Sequence, residues 1–254
     1  MHIAIIQARM GSTRLPNKVL RPVFRKPILE QLLNRIKPSQ SIHHVVIATT
    51  SNVEDEAIQE FCKSRQIACF RGSDWDVLDR FYQTAIQIGV KSGDTIIRIC
   101  ADNPLHSHKV IEMALQQYDS LGLEYFSNSN EAPHFLEDGF DTEVFSFDAL
   151  EFAANNATLL SEREHVTPFI KNCGKFKVGW RKCDSRYNFK LSVDTANDLQ
   201  LAEKIFQELS HIPDFGIHEV TELLLSRPEL LQINQESTIN SGYFKSLRED
   251  RKVK

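Results

Sequence analysis

The chain has 254 residues, 41% hydrophobic and 25% charged, an ordinary soluble composition with ample length for a sizeable core. Thirty Lys and Arg face 34 Asp and Glu, a formal net charge of −4, which argues against a nucleic-acid partner but leaves room for a local anion site. No apolar run approaches the ~20 residues that cross a bilayer, and the start lacks the basic-then-apolar order of a signal peptide, so a cytoplasmic protein with no membrane partner is expected.

Hydrophobic periodicity alternates between short strand-like runs and helical patterns. Residues 3–7 read as a first strand, and residues 9–26 as a loop rich in Gly, Pro, Arg and Lys. Pro27 opens a helix with Ile28, Leu29, Leu32, Leu33 and Ile36 on one face, since its missing N–H costs nothing in a first turn. Strands follow at 45–49, 67–70 and 95–99, and helices at 53–65, 75–90 and 109–118. This alternation predicts an α/β fold, a three-layer α/β/α sandwich around a mostly parallel, doubly wound sheet. The second half is less regular. Strands are read at 124–127, 142–145, 175–178 and 189–193, and helices at 147–155, 161–171, 196–208 and 217–226, before a polar tail expected to be mobile. The expected division is a main domain over 1–210 and a helical extension with tail over 211–254. The five cysteines (Cys62, Cys69, Cys100, Cys173 and Cys183) form no C-x-x-C pair and read as free thiols in a reducing compartment. His106-Ser107-His108 reads as loop surface.

The segment from Gln7 to Lys18 is the informative one. It follows the first strand, at the sheet edge where open α/β sheets bind ligands. Gln7 and Ala8 lead into a loop with three cations, Arg9, Arg14 and Lys18, around Gly11, Ser12 and Thr13. Backbone N–H groups, hydroxyls and cations together are the parts of a polyphosphate cradle. The loop is not a Walker A loop, because Asn17 precedes Lys18 and Val19 follows it; with one glycine it is not a Rossmann fingerprint either.

Residues 6–20, Ile-Gln-Ala-Arg-Met-Gly-Ser-Thr-Arg-Leu-Pro-Asn-Lys-Val-Leu, closely resemble the N-terminal signature of cytidylyltransferases that make CMP-activated sugar acids. CMP-KDO synthetases and acylneuraminate cytidylyltransferases belong to that group, and the branch typified by spore coat polysaccharide biosynthesis protein F is nearest. Four further segments, at 70–80, 98–105, 163–168 and 191–199, resemble that branch in the same order. The family usually has Gly where Asn17 stands; Asn tolerates a left-handed backbone better than most residues.

Asp102 follows the fourth strand directly and Asp194 ends the apolar run 189–193. The resemblance implies that carboxylates at these positions hold Mg²⁺ on nucleotide phosphates, and Mg²⁺ favours one or two carboxylates plus phosphate oxygens. Each aspartate also has a plainer reading, as a turn or helix cap, and Asp198 reads as a cap. The implied reaction is attack by a sugar hydroxyl on the α-phosphorus of CTP, with Arg14 and Lys18 on the leaving phosphates. Base selection is expected from Thr49 and its neighbours and from the 71–80 segment, with Arg71 and Arg80 as candidates; Arg80 also reads as a helix-surface cation. Arg163, Glu164 and His165 are expected near the sugar or a subunit contact, with Arg163 suited to a sugar carboxylate and His165 either a base or a structural histidine. Asn128, Asp138 and Asp141 are weaker sugar-contact candidates. Relatives suggest a homodimer. The rival readings are a glycosyltransferase on the same fold, whose Asp-x-Asp signature is not matched after a mid-domain strand, and a nucleotide-binding partner without turnover.

Overall fold

The apolar run at the start of the chain forms β1 (His2–Gln7), in the middle of a seven-stranded sheet. The structure, a computed structural model, describes residues 1–129, 138–181, 189–239 and 241–254; Cys183 lies outside them. Ala4 and Ile6 enter one core while Ile3 and Ile5 enter another, the period-two alternation of a strand covered on both faces. A hairpin of β2 (Pro22–Val23) and β3 (Lys26–Pro27) leads into α1 (Ile28–Ile36). Then come β4 (His44–Thr50), α2 (Glu56–Ser64), β5 (Ala68–Gly72), α3 (Val77–Gln87), β6 (Thr95–Cys100) and α4 (His108–Ser120). β1 pairs in parallel with both β4 and β6, and β4 with β5.

β7 (Tyr125–Ser127) and β8 (Glu143–Ser146) extend the sheet antiparallel, and β9 (Val178–Trp180) closes it in parallel on β7, giving the order β5-β4-β1-β6-β8-β7-β9. After α5 (Phe147–Asn156), the chain forms α6 (Leu160–His165), α7 (Pro168–Asn172), α8 (Ala196–Leu209), α9 (Ile217–Ser226) and α10 (Ser241–Arg248). Apolar residues of α1, α2 and α4 cover one face of the sheet and those of α3, α5 and α7 the other, which makes the three-layer sandwich. A third core joins Ile205 and Phe206 of α8 and Val220 and Leu224 of α9 to Leu15, Val23 and Phe140. It braces the loop after β1 from outside the sheet.

Five expectations do not survive as read. The helix read over 161–171 is two helices, because Val166 turns to a left-handed φ of 71° and Pro168 starts a new one. The run 189–193 is not a strand: Leu191 and Ser192 N–H donate to the Asp138 carboxylate (2.6 and 2.8 Å) and Val193 N–H to the Asp102 carbonyl (2.9 Å), so side-chain and loop acceptors replace a ladder. That approach needs Gly139, whose φ is 88° and where a Cβ would come within 2.8 Å of the Leu191 backbone. His106 and Ser107 are fully buried rather than loop surface, with a His106 Nε2 hydrogen bond to Thr142 Oγ1 (2.9 Å). The polar tail is docked: Leu160 N–H donates to the Arg251 carbonyl (2.9 Å), Val253 N–H to the Thr158 carbonyl (2.8 Å), and Asp250 accepts from the Ser161 hydroxyl (2.8 Å). The strand read at 175–178 also slides, to Val178–Trp180.

Candidate active site

The loop after β1 is held by its own backbone and by one buried carboxylate. Ser12 and Asn17 N–H both donate to the Met10 carbonyl (2.8 and 3.1 Å), and Leu15 N–H donates to Ser12 Oγ (3.3 Å). Asp55, 1% exposed, accepts from Met10 N–H (2.6 Å) and from Thr50 Oγ1, which ties the loop to the end of β4. Asn17 takes the left-handed conformation (φ 60°, ψ 22°) that the usual glycine would supply. Val19 and Leu15 then enter the cores, and Lys18 is turned toward the sheet edge.

There Lys18 Nζ donates to Asp102 Oδ2 (2.7 Å), Asp194 Oδ1 (2.8 Å) and the Val193 carbonyl (3.0 Å). Arg14 Nη2 also reaches Asp194 Oδ1 (3.1 Å), and Lys190 Nζ reaches Asp194 Oδ2 (3.2 Å). Burial alone would neutralise these groups. The facing charges outweigh it, holding the Asp194 carboxyl down to about 2 and the Lys18 ammonium above its ordinary range. Asp102 and Asp194 thus converge on one point from the ends of segments 92 positions apart in the chain, as the sequence reading required. Asp194 is not the N-cap of α8. That role falls to Thr195, whose Oγ1 accepts from Asp198 N–H (3.2 Å), while Asp198 accepts in return from Thr195 N–H (2.8 Å).

Two cavities flank this cluster. The larger, about 470 Å³, is lined by Gln7, Ala8, Arg9, Gly11, Ser12 and Thr13, together with Arg14, Lys18 and Arg80. The smaller, about 290 Å³, is lined by Ser127, Ser129, Asp138, Asp141, Glu143 and Lys171, among other polar groups. Gln7, Arg14, Cys100, Asp102, His165 and Asp194 line both and form the wall where they meet. In the smaller cavity Arg98 pairs with Glu143, whose Oε1 also accepts from Tyr125 Oη (2.6 Å) and Thr167 Oγ1 (2.5 Å). Arg98 Nε donates to Gln7 Oε1 (3.1 Å), which fixes that amide at the shared wall. Burial, then the neighbouring Asp138, pushes the Asp141 carboxyl up.

The structure does not bring every candidate to a cavity. Arg163 is fully buried; its Nε and Nη2 grip the Asp76 carboxylate (3.0 and 2.6 Å) and its Nη1 donates to the Ala154 carbonyl (2.8 Å), so it fastens α6 to the start of α3 and lines neither cavity. Asn128 is likewise spent on the backbone, donating to the Phe140 carbonyl (2.9 Å) and accepting from Thr142 N–H (2.7 Å). Arg71 donates to the carbonyls of Thr50 (3.0 Å) and Asn52 (2.7 Å), and buried Thr49 lies beneath it on β4; neither lines a cavity. Arg80 is 2% exposed, not a surface cation; Nη1 donates to the Ser73 carbonyl (2.6 Å) and Nε has no partner among the described residues. Glu164 lines the larger cavity, His165 both, and Asp141 the smaller. Asp55, Arg98, Lys171 and Lys190 were not singled out beforehand; Lys190 was the legible one, four residues before Asp194.

Asp102 and Asp194 are the hard oxygen donors that a divalent cation takes together with phosphate oxygens. Lys18 takes Asp102 Oδ2, and no group of three or more His, Cys, Asp or Glu that could hold a metal ion forms among the described residues. In Asp74-Trp75-Asp76, Asp74 pairs with Arg9 (3.2 Å), and Asp76 caps α3 and is gripped by Arg163.

A family model described as cytidylyltransferase matches residues 3–233. An uncharacterized protein of Methanocaldococcus jannaschii is 38% identical over 251 residues, 97% of this chain and 99% of its own length. Spore coat polysaccharide biosynthesis protein SpsF of Bacillus subtilis is 31% identical over 234 residues, 89% and 94% of the two chains. A solved cytidylyltransferase from Leptospira borgpetersenii superposes with a TM-score of 0.81 at 29% identity, covering 94% of this chain and 98% of that one. A CMP-KDO synthetase solved with CTP shares the fold, with a TM-score of 0.57 at 18% identity over 82% of this chain and 98% of that one. On this sequence match and this architecture, the chain belongs to the cytidylyltransferase family and is a nucleotidyltransferase.

Proposed function

We propose that the protein transfers CMP from CTP to a hydroxyl of a sugar or sugar acid, with Mg²⁺ and release of pyrophosphate, as the activation step of glycan or surface-polysaccharide synthesis. The observation that carries this reading is the shared wall. Two polar cavities meet at Asp102 and Asp194; the loop gives the larger one Arg9, Gly11, Ser12, Thr13, Arg14 and Lys18, and the smaller one Gln7 and Arg14. The larger cavity takes the triphosphate, with loop N–H groups, Arg14 and Lys18 on the β- and γ-phosphates. Arg80 lines the same cavity and is the nucleotide-side cation of this reading. The smaller cavity takes the acceptor. Its hydroxyl oxygen bonds to the α-phosphorus, the α–β bridging bond breaks, pyrophosphate leaves, and the hydroxyl proton passes to solvent or a neighbouring carboxylate. Asp102 and Asp194 would hold Mg²⁺, which would supply positive charge against that developing on the phosphates. Lys18, at the same wall, presents its ammonium to the leaving phosphates.

The test is to incubate the protein with Mg²⁺, each of the four nucleoside triphosphates in turn, and a panel of sugars and sugar acids that includes 3-deoxy-manno-octulosonate. Pyrophosphate and a CMP-sugar should form with CTP and with one acceptor class. Pyrophosphate from all four triphosphates alike would remove the assignment of cytosine, and none from any would remove the reaction. A cytoplasmic location and a homodimer belong to the same reading.

A further inference from the structure

The C-terminal segment was expected to be a loose tail, and it lies beyond the residues that the family model matches. It is instead fastened along α6. Lys252 pairs with Leu159 in a β-bridge, Asp250 accepts from both the N–H and the hydroxyl of Ser161 (3.0 and 2.8 Å), and Lys254 Nζ donates to the Ala154 carbonyl (2.9 Å). In α10, buried Ser246 donates to Glu164 Oε2 (2.6 Å) and lies 3.0 Å from His165 Nε2. The result at the other end of α10 is specific. Gly242 lines both cavities and Tyr243 lines the smaller one. The Tyr243 ring stands edge-on to His165, with centroids 4.9 Å apart, and has Lys171 Nζ 6.0 Å from its own centroid. His165 belongs to the shared wall and Lys171 to the smaller cavity, so one aromatic ring abuts two side chains that face the acceptor.

We propose that residues 241–254 are part of the acceptor site: α10 supplies the wall that closes the smaller cavity, and Tyr243 limits the size and position of the acceptor within it. The inference deepens the cytidylyl-transfer reading and rests on it for the identity of the occupant. The fastening itself does not. Contacts on α6, on the Leu159 that precedes it and on Ala154 of α5 hold the segment, and they are made by the chain alone. Tyr243 is a positioning residue, acting through His165 and Lys171 and through the space its ring fills.

Tyr243→Ala and Tyr243→Phe in the full chain test this. The first readout needs no acceptor: carbethoxylation of His165 by diethyl pyrocarbonate, followed by peptide mass spectrometry. Tyr243→Ala should raise its rate about tenfold by removing the ring, and Tyr243→Phe should leave it near that of the parent. Equal rates in all three would overturn the docking of α10. The second readout uses the acceptor from the panel above that releases pyrophosphate fastest. Its KM should rise about tenfold in Tyr243→Ala, with the KM for CTP within about twofold and Tyr243→Phe close to the parent. An unchanged acceptor KM, or a parallel rise for CTP, would overturn the specificity role. If the parent releases no pyrophosphate with any acceptor, the transfer reading fails, and the occupant and the specificity role fall with it; the His165 readout still decides whether α10 forms the wall.

Discussion

The two cavities are built in different ways. The larger takes the biggest share of its wall from one contiguous stretch, Gln7 to Lys18, bent by its own backbone bonds and pinned by Asp55. The wall of the smaller is assembled from segments far apart in the chain: Arg98 from β6, Glu143 from β8, Thr167 and Lys171 around α7, Ser192 beside Asp138, and Tyr243 from the last helix. A contiguous cradle needs few supports, so a change within it alters ligand contacts. An assembled cavity exists only while its buried polar crosslinks persist, so a change there alters the fold as well as the chemistry.

Arg163→Ala is the severest way to break that contrast. It leaves the Asp76 carboxylate buried without its bidentate partner, and the expected cost is about 3–5 kcal/mol of unfolding free energy, read by urea titration. CTP affinity of the protein that remains folded should stay within about twofold; a large loss there would return Arg163 to the ligand site. Asp194→Asn should lower kcat about 100-fold or more while CTP still binds, because the residue acts at the wall where charge develops. Kinetics that show only a raised KM for CTP would reduce it to a binding group.

The same aspartate has a pH signature. Burial would raise its carboxyl, but Lys18 and Lys190 hold it at about 2, below the unfolded value near 4. The stabilisation, about 2 kcal/mol, is therefore present above about pH 4 and is lost as the pH falls toward 2. Acid unfolding of Asp194→Asn should lack that component; identical acid profiles would mean the cluster is not formed in solution. Lys18→Ala should weaken CTP binding about tenfold, measured by calorimetry. It also leaves two carboxylates facing each other, so a fall in thermal stability accompanies it; unchanged affinity would take Lys18 out of the phosphate site.

What was legible in the sequence follows the same division. The first half is a sequence of strands and helices whose periodicity is local, and apart from the short β2–β3 hairpin, which falls in a segment that reads as loop, each element from β1 to α4 lies within a few residues of its expected place. The loop after β1 was legible because its chemistry is contiguous. Asp102 and Asp194 were legible as aspartates after apolar runs, though the second run is not a strand. What stayed hidden depends on long-range contacts. Arg163 looked like a ligand-binding arginine because nothing local reveals that Asp76 waits for it across the core. The run 189–193 has the apolar pattern of a strand, but its N–H groups are claimed by Asp138, more than 50 residues away. The tail is largely polar, and its docking rests on backbone, hydroxyl and charged-group contacts and one aromatic ring, too few apolar residues to leave a periodic signature.

The most direct measurement is a crystal structure of the protein soaked with CTP and Mg²⁺. The triphosphate should lie among Arg14, Lys18 and the 11–13 backbone, the ion between Asp102 and Asp194, and the α-phosphorus at the wall facing the smaller cavity. Nucleotide bound elsewhere, or Lys18 still bridging both aspartates with no ion beside them, would contradict the account.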